Sequence, residues 1–116
     1  MQLGGLPSWP PSPNPQDIPM IILTIPFLAF PLGQLVATPG ALQVLEEAGQ
    51  CLETFLVRHA CGDWGDLCDA DRQENARALR QGGRLMSTYT LKSGQTLWII
   101  TEADRSVTTL LLPLEY

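Results

Sequence analysis

With 116 residues, 12.7 kDa, 45% hydrophobic and 16% charged side chains, the chain has room for one domain with one modest core. A formal net charge of −5 argues against a scaffold that holds nucleic acid by bulk charge, because a basic face supplies most of the non-specific affinity for phosphate backbones. Three cysteines, Cys51, Cys61 and Cys68, cannot all pair within the chain and do not resemble a small secreted disulfide framework, so a reducing, cytoplasmic setting is expected.

In chain order, residues 1–19 hold six of the ten prolines and show no apolar period, which predicts a disordered, proline-rich tail ahead of a single domain over 20–116. No charged residue occurs between Asp17 and Glu46, and Ile18–Ala37 is long enough on paper to cross a membrane. Pro19, Pro26 and Pro31 would interrupt such a helix, and no Lys or Arg precedes Arg58 to orient it, so no membrane association is expected. Residues 20–37 instead read as one long or two short buried strands, broken at Phe30-Pro31-Leu32-Gly33.

Thr38-Pro39 supplies an N-cap and a first-turn proline for a short helix carrying Leu42, Leu45 and Ala48, with Gly49 as its left-handed stop. A second helix over 51–60 places Leu52, Phe55, Leu56 and His59 on one stripe, so His59 faces the core. Asp63-Trp64-Gly65-Asp66 forms a turn whose indole closes the helical layer. A third helix starts at Asp69 or Asp71, with Asp71 and Glu74 spaced as a capping box, and ends at Gly82-Gly83. From Arg84 the period changes to two. Leu85–Leu91, Thr96–Thr101 and Val107–Leu112 read as three strands, with Ser93-Gly94 as the first turn. The fold class is therefore α+β: three short helices on one face of an antiparallel sheet that ends in a three-stranded meander.

The segments FPLGQLVATPGAL (30–42), RHACGDWGDL (58–67) and LWIITEADRSVTTLLLPLEY (97–116) carry a resemblance over Phe30–Tyr116 to a family of small uncharacterised proteins of bacterial plasmids and integrative elements. The resemblance implies a mobile-element accessory role and no particular chemistry.

Cys51, His59, Cys61 and Cys68 are soft ligands without a Cys-x-x-Cys knuckle, and Asp63, Asp66, Asp69, Asp71 and Glu74 lack the loop pattern of a calcium site, so neither a metal nor another cofactor is expected. A nucleophilic pair of His59 with Cys61 or Cys68 is disfavoured by helical spacing. Metal-independent RNA cleavage requires a base for the ribose hydroxyl, an acid for the leaving oxygen and donors around the phosphate. His59, Arg84, Tyr89, Thr101, Arg105 and Ser106 are residues of those kinds, and the order of elements resembles barnase-like and RelE-like nucleases. The leading expectation is a non-enzymatic module that binds another protein. Its recognition residues would be Trp64, Glu102, Asp104, Arg105 and Thr108, in and around the last hairpin. As a surface cation, Arg105 would contribute only about 0–1 kcal/mol to stability.

Overall fold

The computed structural model describes residues 28–116, so the expected tail over 1–19 and the first part of the expected strand region lie outside the described residues. In chain order the elements are β1 (Gln34–Ala37), α1 (Pro39–Ala48), α2 (Leu52–Ala60), α3 (Asp69–Gln81), β2 (Leu85–Thr90), β3 (Thr96–Thr101), β4 (Val107–Leu111) and a 3-10 turn (Pro113–Glu115). The α+β class and the C-terminal meander are as the sequence predicts.

The helix boundaries follow from local chemistry. Thr38 Oγ1 accepts the Ala41 N–H at 3.0 Å ahead of Pro39, and Gly49 ends α1 at φ 69°. The start of α3 departs from expectation. Cys68 occupies the cap position without a side-chain cap bond, and Asp69 and Asp71 lie within the first turn, where their charge complements the helix dipole. No Asp71–Glu74 capping box forms, because Glu74 pairs with Arg77 instead.

The sheet order is β1-β4-β3-β2. The meander strands pair antiparallel, but β1 runs parallel to β4 with Gln34 opposite Val107, so the sheet is mixed rather than antiparallel. The long connection through three helices and two strands lets the chain return in the same direction, which a tight hairpin cannot do. A second correction concerns burial: β1 is short and largely exposed, whereas the apolar run predicts a buried strand.

One sheet face presents Leu85, Ser87, Tyr89, Leu97, Ile99, Thr101, Thr108 and Leu110 to the helices. Against it pack Ala41, Val44 and Leu45 of α1 with Phe55 and Leu56 of α2. Phe30, Trp64, Leu67 and Ala78 form a second cluster around Leu85 at the β2 side. On the opposite face the Tyr116 ring meets Trp98 edge-on at 5.7 Å, and Arg84 donates to the Tyr116 hydroxyl and to Glu102. Among the described residues no helix is long and apolar enough to cross a membrane.

The two sheet edges are finished differently. Along the outer edge of β2, Thr88 N–H donates to the Trp64 carbonyl and Asp66 N–H to the Thr88 carbonyl. Gly65 at the centre of this contact has φ 73°, and a Cβ there would lie 2.1 Å from the Thr88 oxygen, so the approach requires glycine. Buried Asn75 continues the seal: its amide donates to the Met86 carbonyl at 2.7 Å and accepts the Met86 N–H at 3.2 Å, as a neighbouring strand would. The outer edge of β1 has no such cover among the described residues.

Candidate functional site

The structure draws some of the candidate residues together in the interior. His59, fully buried on α2, has Nδ1 2.6 Å from Ser87 Oγ and Nε2 2.9 Å from Thr101 Oγ1. Thr101 Oγ1 lies 2.7 Å from Thr108 Oγ1, which donates to the Leu32 carbonyl at 2.6 Å. The direction of the chain follows from its end. A carbonyl only accepts, so the single Thr108 hydrogen is committed to Leu32 and the Thr101 hydroxyl must donate to Thr108. Thr101 then accepts from Nε2–H, and neutral Nδ1 accepts from Ser87. Burial lowers the His59 pKa to about 3, consistent with this neutral tautomer. The ring sits edge-on to Phe30 and Trp64, at centroid distances of 5.2 and 5.6 Å. Its chemistry is to fasten α2, three strands and the segment before β1 together, with no ring atom facing solvent.

The residues proposed for RNA cleavage do not converge. His59, Tyr89 and Thr101 are buried on the helix side of the sheet, and burial pushes the Tyr89 phenol up to about 12 while its hydroxyl donates to the Asp63 carbonyl. Arg84 lies with Tyr116 and Trp98 on the other face, so the sheet stands between it and His59. Ser106 is exposed and donates to Asp104.

The expected recognition residues are also engaged internally. Trp64, 6% exposed, stacks on Phe30 and is a core residue rather than a surface anchor. Thr108 is buried in the histidine chain. Glu102 pairs with Arg84 at 3.0 Å, and Asp104 accepts from the Ser106 N–H and hydroxyl, which hold its carboxyl below the usual range. Arg105 departs furthest from expectation. At φ 63° it turns its guanidinium inward, with Nη1 donating to the carbonyls of Gly83 (2.6 Å), Glu102 and Ala103, and Nη2 to that of Ala78. Those four main-chain acceptors join the loop to the end of α3, so Arg105 is a staple and not an exposed cation. Cys51, His59, Cys61 and Cys68, the soft side chains noted in the sequence, belong to no such group: among the described residues no three His, Cys, Asp or Glu side chains gather where they could hold a metal ion.

Among the described residues, the edge left without a cover is that of β1. The Gln34 N–H donates to the Ser106 carbonyl and the Thr38 N–H to the Leu110 carbonyl. With the two-residue alternation of a strand, Gln34, Val36 and Thr38 address β4, and the N–H and C=O groups of Leu35 and Ala37 point away from the sheet. Leu35 and Val36 are 36% and 40% exposed. Two further exposed apolar side chains lie at the C-terminal end of the strand: Leu42 in the first turns of α1, and Leu114 beside Glu115, whose carboxylate accepts the Thr38 hydroxyl at 2.6 Å. Among the described residues, four of the seven exposed large hydrophobics thus belong to β1 or to segments flanking it. Sequence reasoning missed this site because an apolar run bounded by Gly33 and Pro39 has the same pattern whether its own chain or another molecule covers it.

Comparison of the chain with protein-family models, with curated proteins and with solved structures finds no match.

Proposed function

We propose that the protein is a non-enzymatic interaction module, an accessory protein of a mobile element that binds another protein through the apolar surface around β1. The observation that carries this reading is the exposure of Leu35 and Val36 on β1, with Leu42 and Leu114 exposed in segments that adjoin its C-terminal end, where burial of apolar area by a partner is favourable at about 25 cal/mol per Å². The interior engagement of His59, Tyr89 and Thr101 counts against the nuclease alternative, since a general base must reach the proton it removes. A reducing cytoplasm suits the exposed thiols of Cys51 and Cys68.

The test is site-specific photo-crosslinking in the cells that express the protein. A photoreactive residue at position 42 is compared with one at position 79, where exposed Leu79 lies on α3 away from the patch. Capture of one discrete partner from position 42 and not from 79 is the expected result. Equal capture at both positions, no capture at all, or turnover of RNA by the purified protein overturns the reading.

A further inference from the structure

Resting on the interaction reading, we infer that the outer edge of β1 takes an extended peptide by strand addition, and that this peptide has apolar β-branched residues at its centre and Lys or Arg at its ends. Three observations converge on this occupant.

The first is the contrast between the edges. β2 is closed by the 64–66 segment and by the Asn75 amide, so its outward N–H and C=O groups at Met86 and Thr88 are satisfied. The outward groups of Leu35 and Ala37 have no partner of that kind among the described residues. Folded proteins ordinarily protect a sheet edge by shortness, a charge, a proline or a bulge, and the four-residue strand Gln34-Leu35-Val36-Ala37 has only its shortness. Two donors and two acceptors on alternate residues are the main-chain half of a strand-addition site.

The second is the side-chain half. Leu35 projects to the helix side of the sheet and Val36 to the opposite side, and both are exposed. A strand laid beside β1 would cover both, so its own apolar residues are needed on both faces, as in a run of valine or isoleucine with threonine.

The third is charge, and it decides between a foreign peptide and a second copy. Ser106, whose carbonyl receives the Gln34 N–H, is bonded to the Asp104 carboxylate. At the other end Thr38 is bonded to the Glu115 carboxylate. Arg105, next to Ser106, is turned inward onto main-chain carbonyls, and from Gln34 to Val57 the only charged residues are Glu46, Glu47 and Glu53. The uncharged strand is therefore bracketed by carboxylates. Antiparallel pairing of two β1 strands would turn the Asp104 end of one copy toward the Glu115 end of the other, like charge facing like charge, whereas a peptide with basic ends would meet opposite charge at both ends.

The experiment uses the full chain and a fluorescein-labelled peptide of sequence KKVVTVVKK, which carries valine on both faces of a strand, followed by anisotropy and by amide NMR. Saturable binding is expected, with slowed hydrogen exchange at the Leu35 and Ala37 amides. Replacing the terminal lysines with glutamates should weaken binding by about tenfold or more. Leu35→Pro removes an N–H that β4 does not use, so it should preserve the melting temperature while reducing affinity by at least about tenfold. Should Leu35→Pro fail to fold, a peptide N-methylated at alternate residues makes the same test from the ligand side and should not bind.

Binding unaffected by Leu35→Pro and by N-methylation, or no binding at about 1 mM peptide, overturns strand addition. Sedimentation showing a dimer that Leu35→Pro converts to monomer assigns the edge to a second copy and equally overturns it. If the peptide fails while crosslinking from position 42 still captures a partner, the strand mode is wrong and the interaction reading stands. If both fail, the interaction reading itself is wrong.

Discussion

Arg105→Ala separates two physical descriptions of the same residue. A solvated loop arginine contributes about 0–1 kcal/mol through surface ion pairing. The guanidinium observed here donates to four main-chain carbonyls, at 2.6 Å for Gly83 and 3.1 Å for each of Glu102, Ala103 and Ala78, and lies 5.9 Å from the Phe30 ring centroid. Hydrogen bonds from a charged group contribute roughly 1.5–3 kcal/mol each when buried. Three of the four share Nη1, and the site is half-buried, so water can rehydrate part of what is lost. The expected cost is therefore about 2–4 kcal/mol, below the sum of the separate bonds. For a domain of this size that lowers the melting temperature by roughly 10–25 °C. The backbone supplies an internal control. Alanine at φ 63° keeps the left-handed strain that glycine relieves, so Arg105→Gly should be more stable than Arg105→Ala by about 1 kcal/mol. Circular-dichroism melts and urea titrations of the three proteins measure both differences. An Arg105→Ala protein that melts within about 2 °C of the parent, a shift well under 1 kcal/mol, would refute the staple.

The buried histidine predicts an acid-sensitive stability. Its folded pKa, about 3, lies below the ordinary value of 6.5, so the unfolded chain takes up a proton that the folded chain refuses. The contribution is complete above about pH 6.5 and falls as the pH drops toward 3, with the folding constant losing up to about tenfold per pH unit. Urea titrations at pH 7, 6 and 5 should show the loss mainly above the carboxylate range, and a flat profile over that interval would contradict it. Trp64→Ala should cost roughly 3–5 kcal/mol in a thermal or urea melt, because the buried ring packs against both Phe30 and His59. Asn75→Ala should cost about 2–4 kcal/mol by exposing or orphaning the Met86 N–H and C=O, and hydrogen exchange at Met86 should speed up.

Local signals in the sequence were strong where one residue determines the conformation. Thr38-Pro39 and Gly49 bound α1, Gly82-Gly83 end α3, and the two-residue period from Leu85 locates the meander. His59 on the apolar stripe of α2 correctly implied a core position. Long-range information was not legible. Nothing in Gln34-Leu35-Val36-Ala37 specifies parallel pairing with β4, because the register is set by residues near the other end of the sequence. Polarity also misled. Arg105, Thr108 and Asn75 look like solvent-facing residues, yet each satisfies buried or half-buried main-chain groups that appear only once the strands and α3 are assembled. The β1 edge was misread for a related reason: apolar composition indicates that a segment gains by being covered and says nothing of which chain covers it.

The pairing of β1 with β4 also sets an order of events during synthesis. The Leu32 carbonyl and the Thr108 hydroxyl that holds it are 76 positions apart, and Thr38 and the Glu115 carboxylate are 77 apart. At roughly 5–20 residues per second, a ribosome needs several seconds to supply the second member of either pair. For that interval the uncharged stretch ahead of α1 has emerged without the strand it will align with, while α1 and α2 already have the residues to form. The nascent chain thus passes through a stage in which an uncharged strand awaits a partner synthesised about 70 residues later, and a rare-codon pause before β4 would lengthen exposure to chaperones and to other nascent chains.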